Sequence, residues 1–538
     1  MRWPAILTIV VMIGLLCVAG SRQPETCAVT LTLTDAASGH ELSGLVRVTD
    51  SAGKHVAVTE LLSRGLGLAE ELGVAETDAI HRWSVLPRKS LVQLPRTKLT
   101  IEAISGLDTE SATVTVDLAD RATAEVNVAL TRFDDLKSRG YRSANTHLHL
   151  MKISRADSDR YLQEVPKADG LDAVFLSYIE RAVADREYTS NQYTGGDLAS
   201  ITRRTGVNFG NGEEHRHNMA GYGEGYGHVM LLNIKKHIEP VSIGPGIMKM
   251  GTDGIPLRRG IETARTDGAT IVWCHNRWGM EDLPNLLGGR IDAQNIFDGS
   301  VRDSYKDSYY RYLNVGLHVP FSTGTDWFIY DFSRVYAAVE GDVTIESWLN
   351  ALKQGRSFIT NGPLLELRVA DKTLGETIEL GEPKPLGVIA KARGRLDFQR
   401  IELVRNGAVI ASAASKPVGR HFEAELATDV QNTAPGWLAL RTPPPPIKDD
   451  PALQQPVAKN ELGRDLFAHT SPIYVNVAGK GCFDEAVARS LLAEMQANLD
   501  VIADKALFAD PQERARVLDV HREGIELLNQ RISQRGSQ

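Results

Sequence analysis

The sequence predicts a multidomain protein: a central TIM-like α/β barrel flanked by an N-terminal and a C-terminal β-sandwich, with a helical hairpin at the end of the chain. Length is one reason, because 538 residues exceed what one hydrophobic core accommodates. A second is the period-two alternation of apolar and polar residues on both sides of the middle third. The third is a change of pattern inside that third, to short apolar runs separated by helix-compatible stretches. Charged residues make up 24% of the chain and hydrophobic ones 42%, an ordinary globular balance. A net charge of -8, with no run of five or more basic residues, argues against a nucleic-acid partner.

Residues 1–21 read as a signal peptide: Arg2 supplies a positive start, Ile6 to Val18 is apolar, and Ala19-Gly20-Ser21 offers small residues for cleavage. The apolar stretch is shorter than the ~20 residues a span needs, so no stable membrane span is expected once the leader is removed. The expected location is periplasmic or extracellular, with a retained anchor as the alternative. Leader removal leaves Cys27, Cys274 and Cys482, so at most one disulfide can form, with Cys27–Cys482 a pairing open in an oxidising compartment.

Over 22–135, Val29, Leu31 and Leu33 alternate with Thr30, Thr32 and Thr34, and Val114, Val116 and Leu118 repeat the pattern. Turns at Ser38-Gly39, Ser51-Ala52-Gly53 and Ser105-Gly106 separate the strands, which predicts an antiparallel sandwich. The stretch from Leu33 to Pro95 is similar to the carboxypeptidase regulatory-like sandwich. Over 136–365, the runs Ala173–Leu176, Val229–Leu232 and Ala269–Trp273 are apolar enough to be covered on both faces, as barrel strands are. Alternation returns over 366–480, with a hairpin expected at Asn406-Gly407 and an extended surface segment at Pro443–Pro446. Over 481–538, Leu491, Met495, Leu499 and Ile502 form one helical stripe, and Val517, Leu518, Ile525 and Leu528 another. Asp510-Pro511 is a helix start between them, and the hairpin is expected to pack on the sandwich.

The chemistry-bearing residues fall in the middle third. His147 and His149 share one side of an extended segment and can grip one metal. Gly210-Asn211-Gly212-Glu213-Glu214-His215-Arg216-His217 brings an acidic pair against a histidine pair, and His228 directly precedes an apolar strand. His275 follows Ile271-Val272-Trp273-Cys274, and Asp326 ends the run Val319–Thr325. Histidines and acids at the ends of successive strands converge on the rim where barrel enzymes assemble their chemistry.

That order, His-x-His, Gly-x-Glu, Gly-His, a lone His after an apolar strand, then Thr-Asp, resembles the polymerase and histidinol phosphatase (PHP) domain. The stretch Gly355-Arg356-Ser357-Phe358-Ile359-Thr360-Asn361-Gly362-Pro363 is similar to the CehA/McbA metallohydrolases within it, and the likeness spans roughly 140–370. The resemblance implies that His147, His149 and Asp326 hold one divalent metal, that Glu214 bridges, and that His228 and His275 complete a second site. Glu213 is the alternative bridge. The family's third-metal histidines are absent, since Ser177-Tyr178-Ile179 and Phe328 stand in their places. Zinc suits the donors, and manganese or iron is also admitted. The expected activity is hydrolysis of an ester-type bond (phosphoester, ester or carbamate) in a small-molecule substrate, with Glu214 and Asp326 catalytic. Arg216, His215, His217, Tyr178 and Trp327 are expected around the substrate, with Glu180 and Arg181 nearby. The competing expectation is an inactive, envelope-associated protein that binds a ligand or carbohydrate.

Overall fold

The computed structural model describes residues 26–221, 225–276, 279–299, 303–432, 434–447 and 454–536. The expected leader, 1–21, lies outside the described residues. The N-terminal strands form two sheets. In one, Thr26–Asp35 lies between Ser90–Pro95, antiparallel, and Thr123–Leu130, parallel. In the other, Gly44–Asp50 pairs with Ser84–Leu86 and Lys98–Ile104. Alternation places Val29, Leu31 and Leu33 at 0% exposure against Val48, Leu99 and Ile101 of the facing sheet. The sandwich is thus not wholly antiparallel: its last strand returns beside the first through a long connection, which leaves the strand direction free.

The central region is built on a large curled sheet. Its strands are β1 (Tyr141–His149), β2 (Ala173–Tyr178), β3 (Asn208–His217), β4 (Gly227–Leu232), β5 (Thr270–Trp273), β6 (Ala293–Asn295), β7 (Phe321–Ser322) and β8 (Asp326–Trp327). Pairing is parallel along β1–β2–β3 and along β5–β6–β7, and antiparallel at β3–β4 and β4–β5. The curl brings β8 alongside β1 in parallel, Leu148 opposite Asp326, while Thr325 N donates to His147 O at 3.0 Å. The helices α1 (Arg155–Ala168), α2 (Gly195–Thr205), α3 (Leu257–Thr266), α4 (Asp282–Leu287) and α5 (Tyr309–Asn314) are mostly short. Regular strand-helix alternation fails at β3–β4, where the link from Asn218 to Tyr226 is too short for a crossover helix and the chain turns back.

Two strands carry this sheet onward. β9 (Arg334–Ala338) pairs antiparallel with β1 and with β10 (Ser357–Thr360), and β10 pairs with Ala468–Thr470. One sheet of the C-terminal region is therefore continuous with the central one. The other contains Leu364–Val369, Lys384–Gly394 and His421–Asn432. The Asn406-Gly407 turn joins Arg400–Arg405 to Ala408–Ala414, both residues at positive φ.

The placing of the helical hairpin and of the proline run needs correction. The helical hairpin α6 (Glu485–Lys505) and α7 (Pro511–Gly536) packs on the helices of the central region, not on the sandwich. Leu491, Met495, Val517 and Leu528 share a core cluster with Leu257, Ile261 and Leu283, and Arg311 of α5 meets Glu494 at 2.5 Å. The start of α7 agrees with the sequence reading, since Asp510 Oδ1 accepts from Gln512 N and Glu513 N at 2.7 and 2.8 Å. Pro443 and Pro445 are buried, so the proline run is not a surface segment throughout. The Cys27–Cys482 pairing left open by the sequence is not made: Cys27 lies inside the N-terminal sandwich and Cys482 beside Asn314 and Asn406, with no disulfide between them. Among the described residues no helix is long and apolar enough to cross a membrane.

Candidate metal centre

β1 ends on His147-Leu148-His149. Its pleat turns Leu148 into one core cluster and both histidines to the other face, where each is 0% exposed. Asp298 Oδ2 holds His147 Nδ1 at 2.7 Å, and the carbonyl of Ser177 holds His149 Nδ1 at 2.8 Å. A carbonyl can only accept, so the neutral His149 ring carries its proton on Nδ1 and turns the Nε2 lone pair inward. There it faces His147 Nε2 at 3.1 Å. Two imidazole lone pairs do not oppose one another at that range without a proton or a cation between them.

Glu214 of β3 reaches both halves of the site. Its Oε2 lies 3.3 Å from His149 Nε2, and its Oε1 lies 3.2 Å from His228 Nδ1 and 3.6 Å from His275 Nε2. Asp326 of β8 sets Oδ1 3.5 Å from His147 Nε2. The donors thus form two overlapping groups, His147–His149–Glu214–Asp326 and Glu214–His228–His275, either of which can hold a metal ion. Glu214 Oε1 and Asp326 Oδ1 are buried and accept no hydrogen bond. Such atoms cost ~1–3 kcal/mol each in an apo protein unless something else takes their lone pairs. The residues therefore fit a metal. His275 and Asp326 both adopt positive φ, 52° and 59°, where non-glycine residues are strained, and Gly324 leaves room for His147, since a Cβ there would sit 2.5 Å from the His147 Cβ.

The charges are arranged to the same end. Burial, reinforced by the Arg216 guanidinium, pushes the His228 imidazole down to about 3 and keeps it in the neutral, ligating form. For Glu214 burial opposes ionisation, but Arg216 and the surrounding histidines outweigh it and hold the carboxyl well below its usual range. Burial likewise opposes the charge on Asp298, which His275 and His147 hold ionised. Against their own burial, His147 is raised by the Asp326 carboxylate and its hydrogen bond to Asp298, and His275 by Asp298. A cation taking their lone pairs would replace protons. Cys274 adjoins His147, but burial lifts its thiol to about 11, so it stays protonated. Comparison with family models, curated proteins and solved structures finds no match for this chain.

The other predicted residues divide by face. Arg216 follows Glu214 by two on β3 and enters the site, 3.4 Å from Glu214 Oε1 and 3.0 Å from His228 Nε2, with its buried Nε unbonded. Glu213, His215 and His217 occupy the alternate positions and point outward, which corrects their assignment. Glu213 bonds His215 Nδ1 and the Ile238 N–H at 2.9 and 2.8 Å, and His217 bonds Asp253 at 2.9 Å. None of these side chains lines the cluster, because a strand sends neighbours to opposite faces. Trp327 lies against it, its ring 5.2 Å from His149 with the Arg181 guanidinium 4.6 Å over its other side. Tyr178 turns away to lie against His237, the rings tilted by 40°, and to bond Glu180, and Glu180 also pairs with Arg186. Phe328 packs into the core beside Tyr161.

Sequence reading missed Asp298, which holds His147 Nδ1 and accepts from the His275 N–H at 2.8 Å. The available signal was its place just after Ala293–Asn295, the same strand-end position that drew attention to His275.

Proposed function

We propose that the chain is an exported metal-dependent hydrolase that cleaves an ester-type bond in a small molecule, with no nucleic-acid partner, using two divalent ions held by His147, His149, Glu214, His228, His275 and Asp326. In this reading the curled sheet is the TIM-like barrel of a PHP domain of the CehA/McbA type. The observation that carries it is Glu214, fully buried, with one oxygen toward each group of donors and no hydrogen bond to Oε1. Zinc fits the histidine-rich set best, with manganese or iron as substitutes.

A bound metal pair supplies a water of lowered pKa and positive charge against the developing anion. The protein's own groups do the rest. Asp298 and the Ser177 carbonyl fix the ring orientations of His147 and His149, so the donors need no rearrangement. Asp326, 8% exposed, turns Oδ1 toward the first group of donors, which leaves Oδ2 to accept the proton of the attacking water. Arg216, whose Nε lacks an acceptor, holds the substrate oxygen that gains charge. Trp327 and Arg181 form the adjoining wall.

Elemental analysis of the purified chain, followed by aryl phosphate, aryl ester and aryl carbamate reporters, tests this. Two equivalents of transition metal with turnover of one reporter class are expected. A chain that takes up no metal and turns over none of them would leave the inactive binding protein as the better account.

A further inference from the structure

We infer that the C-terminal helical hairpin clamps the second metal position, and that Asp253 and His217 are the positioning residues through which it acts. This rests on the proposed two-metal reading and concerns only how His228 is held.

The hairpin's turn docks on the central region by a two-way backbone clasp. Asp253 N donates to Leu507 O at 2.7 Å, and Leu507 N donates to Asp253 Oδ2 at 2.8 Å. The other carboxylate oxygen, Oδ1, lies 2.9 Å from His217 Nε2. His217 Nδ1 accepts from Tyr226 N at 3.0 Å, which requires the ring proton on Nε2 and makes His217 the donor to Asp253. The Tyr226 ring stacks on His217 at 3.6 Å, 6° from parallel, and its hydroxyl donates to Asp253 O at 2.7 Å. His217, Tyr226 and Asp253 are 0%, 0% and 1% exposed.

These residues sit where β3 meets β4. His217 pairs with Gly227 and Arg216 with His228, so the clasped pair is one ladder step from the pair that enters the site. Among the described residues of the link between these strands no helix stiffens it; the His217–Tyr226 stack closes it, and the Asp253 carboxylate ties that stack to the hairpin. A second tie ends at the same residue. Glu281 N donates to Tyr226 O at 2.9 Å, the Glu281 carboxylate receives the N–H groups of Leu257 and Arg258 at the start of α3, and Arg258 pairs with Glu523 of α7. His147, His149 and Asp326 lie on β1 and β8, outside this network. Glu214, shared by the two groups, lies on β3 with His217, but three of the first group's four donors lie outside the network, so the clamp bears mainly on the second position, which His228 completes.

Asp253→Asn in the full chain leaves one acceptor oxygen for two donors. Chelator-competition titration with zinc should show the second equivalent weakened roughly 10-fold or more while the first stays within about twofold. The melting temperature of the chelated protein guards against mere loosening. Leu507→Pro removes the N–H to Asp253 without altering the site, and should weaken the same equivalent by a smaller factor; it also serves if the Asp253→Asn variant does not fold. Wild type that binds two ions, with both variants binding both ions normally or losing the two in parallel, overturns the clamp alone. Wild type that binds no second ion overturns the two-metal reading and the clamp with it.

Discussion

Glu213 and Glu214 are neighbours on β3 and almost equally buried, at 0% and 1% exposure, yet their surroundings differ in kind. Glu213 faces outward under α3 with both oxygens bonded, Oε1 to His215 and Oε2 to the Ile238 N–H. Against burial, His215 and His237 hold its carboxyl below its usual range, so it is a satisfied, charged part of the structure. Glu214 faces inward among four imidazoles and a guanidinium, with Oε1 close to His228 and Arg216 but accepting no well-formed hydrogen bond. Burial of charge is common to both; burial without satisfaction belongs only to the inner one. That difference separates an architectural carboxylate from one built to receive a cation.

The comparison breaks most sharply by substitution of each acid. Glu214→Gln removes the one ligand common to both groups and is expected to abolish hydrolysis and reduce bound metal below one equivalent. Glu213→Gln should keep metal and activity while lowering stability by about 1–3 kcal/mol, because one buried partner loses its acceptor. Metal content and thermal melting read both outcomes; small and equal effects at the two positions would mean that the faces do not differ as described. Next in size is Asp298→Asn. Asp298 touches His147 and His275 but belongs to the outer layer of the site, so metal affinity should fall about 10- to 100-fold with the fold intact. Unchanged affinity would show that the histidine orientations are fixed by packing instead.

The smallest expected effect concerns a buried histidine far from any such cluster. His521 of α7 is 0% exposed with neither ring nitrogen hydrogen-bonded, and burial, with Arg258 nearby, pushes it down to about 3 from 6.5. The folded value is depressed, so the unfolded chain binds the proton first. Its contribution is whole above the unfolded value and is lost as pH falls toward the folded one, at up to ~1.4 kcal/mol per pH unit. His521→Leu should therefore flatten the fall in melting temperature of the chelated protein between about pH 6.5 and about pH 4. Equal slopes in variant and wild type would show that the ring is already charged or hydrated when folded.

Much of this was legible in the chain itself. The alternation at Val29, Leu31 and Leu33 predicts their burial, because a strand has only two faces. His147 and His149 are two apart on an extended segment, which by itself puts them on one side. The same rule, applied one step further along β3, would have separated Glu214 and Arg216 from Glu213, His215 and His217. A dense motif invites one role for all its members, and the pleat forbids it.

What the sequence by itself determined is the list of donors and the local geometry that lets each project from a strand end, since backbone periodicity is a property of near neighbours. Only the tertiary structure decided that β8 lies beside β1 and so brings Asp326 to the histidines, that Asp298 orients two of them, and that the hairpin docks on the central helices. Those pairings join residues far apart along the chain. They are chosen by which apolar faces can be buried together, a competition among all segments at once that no single stretch of sequence records.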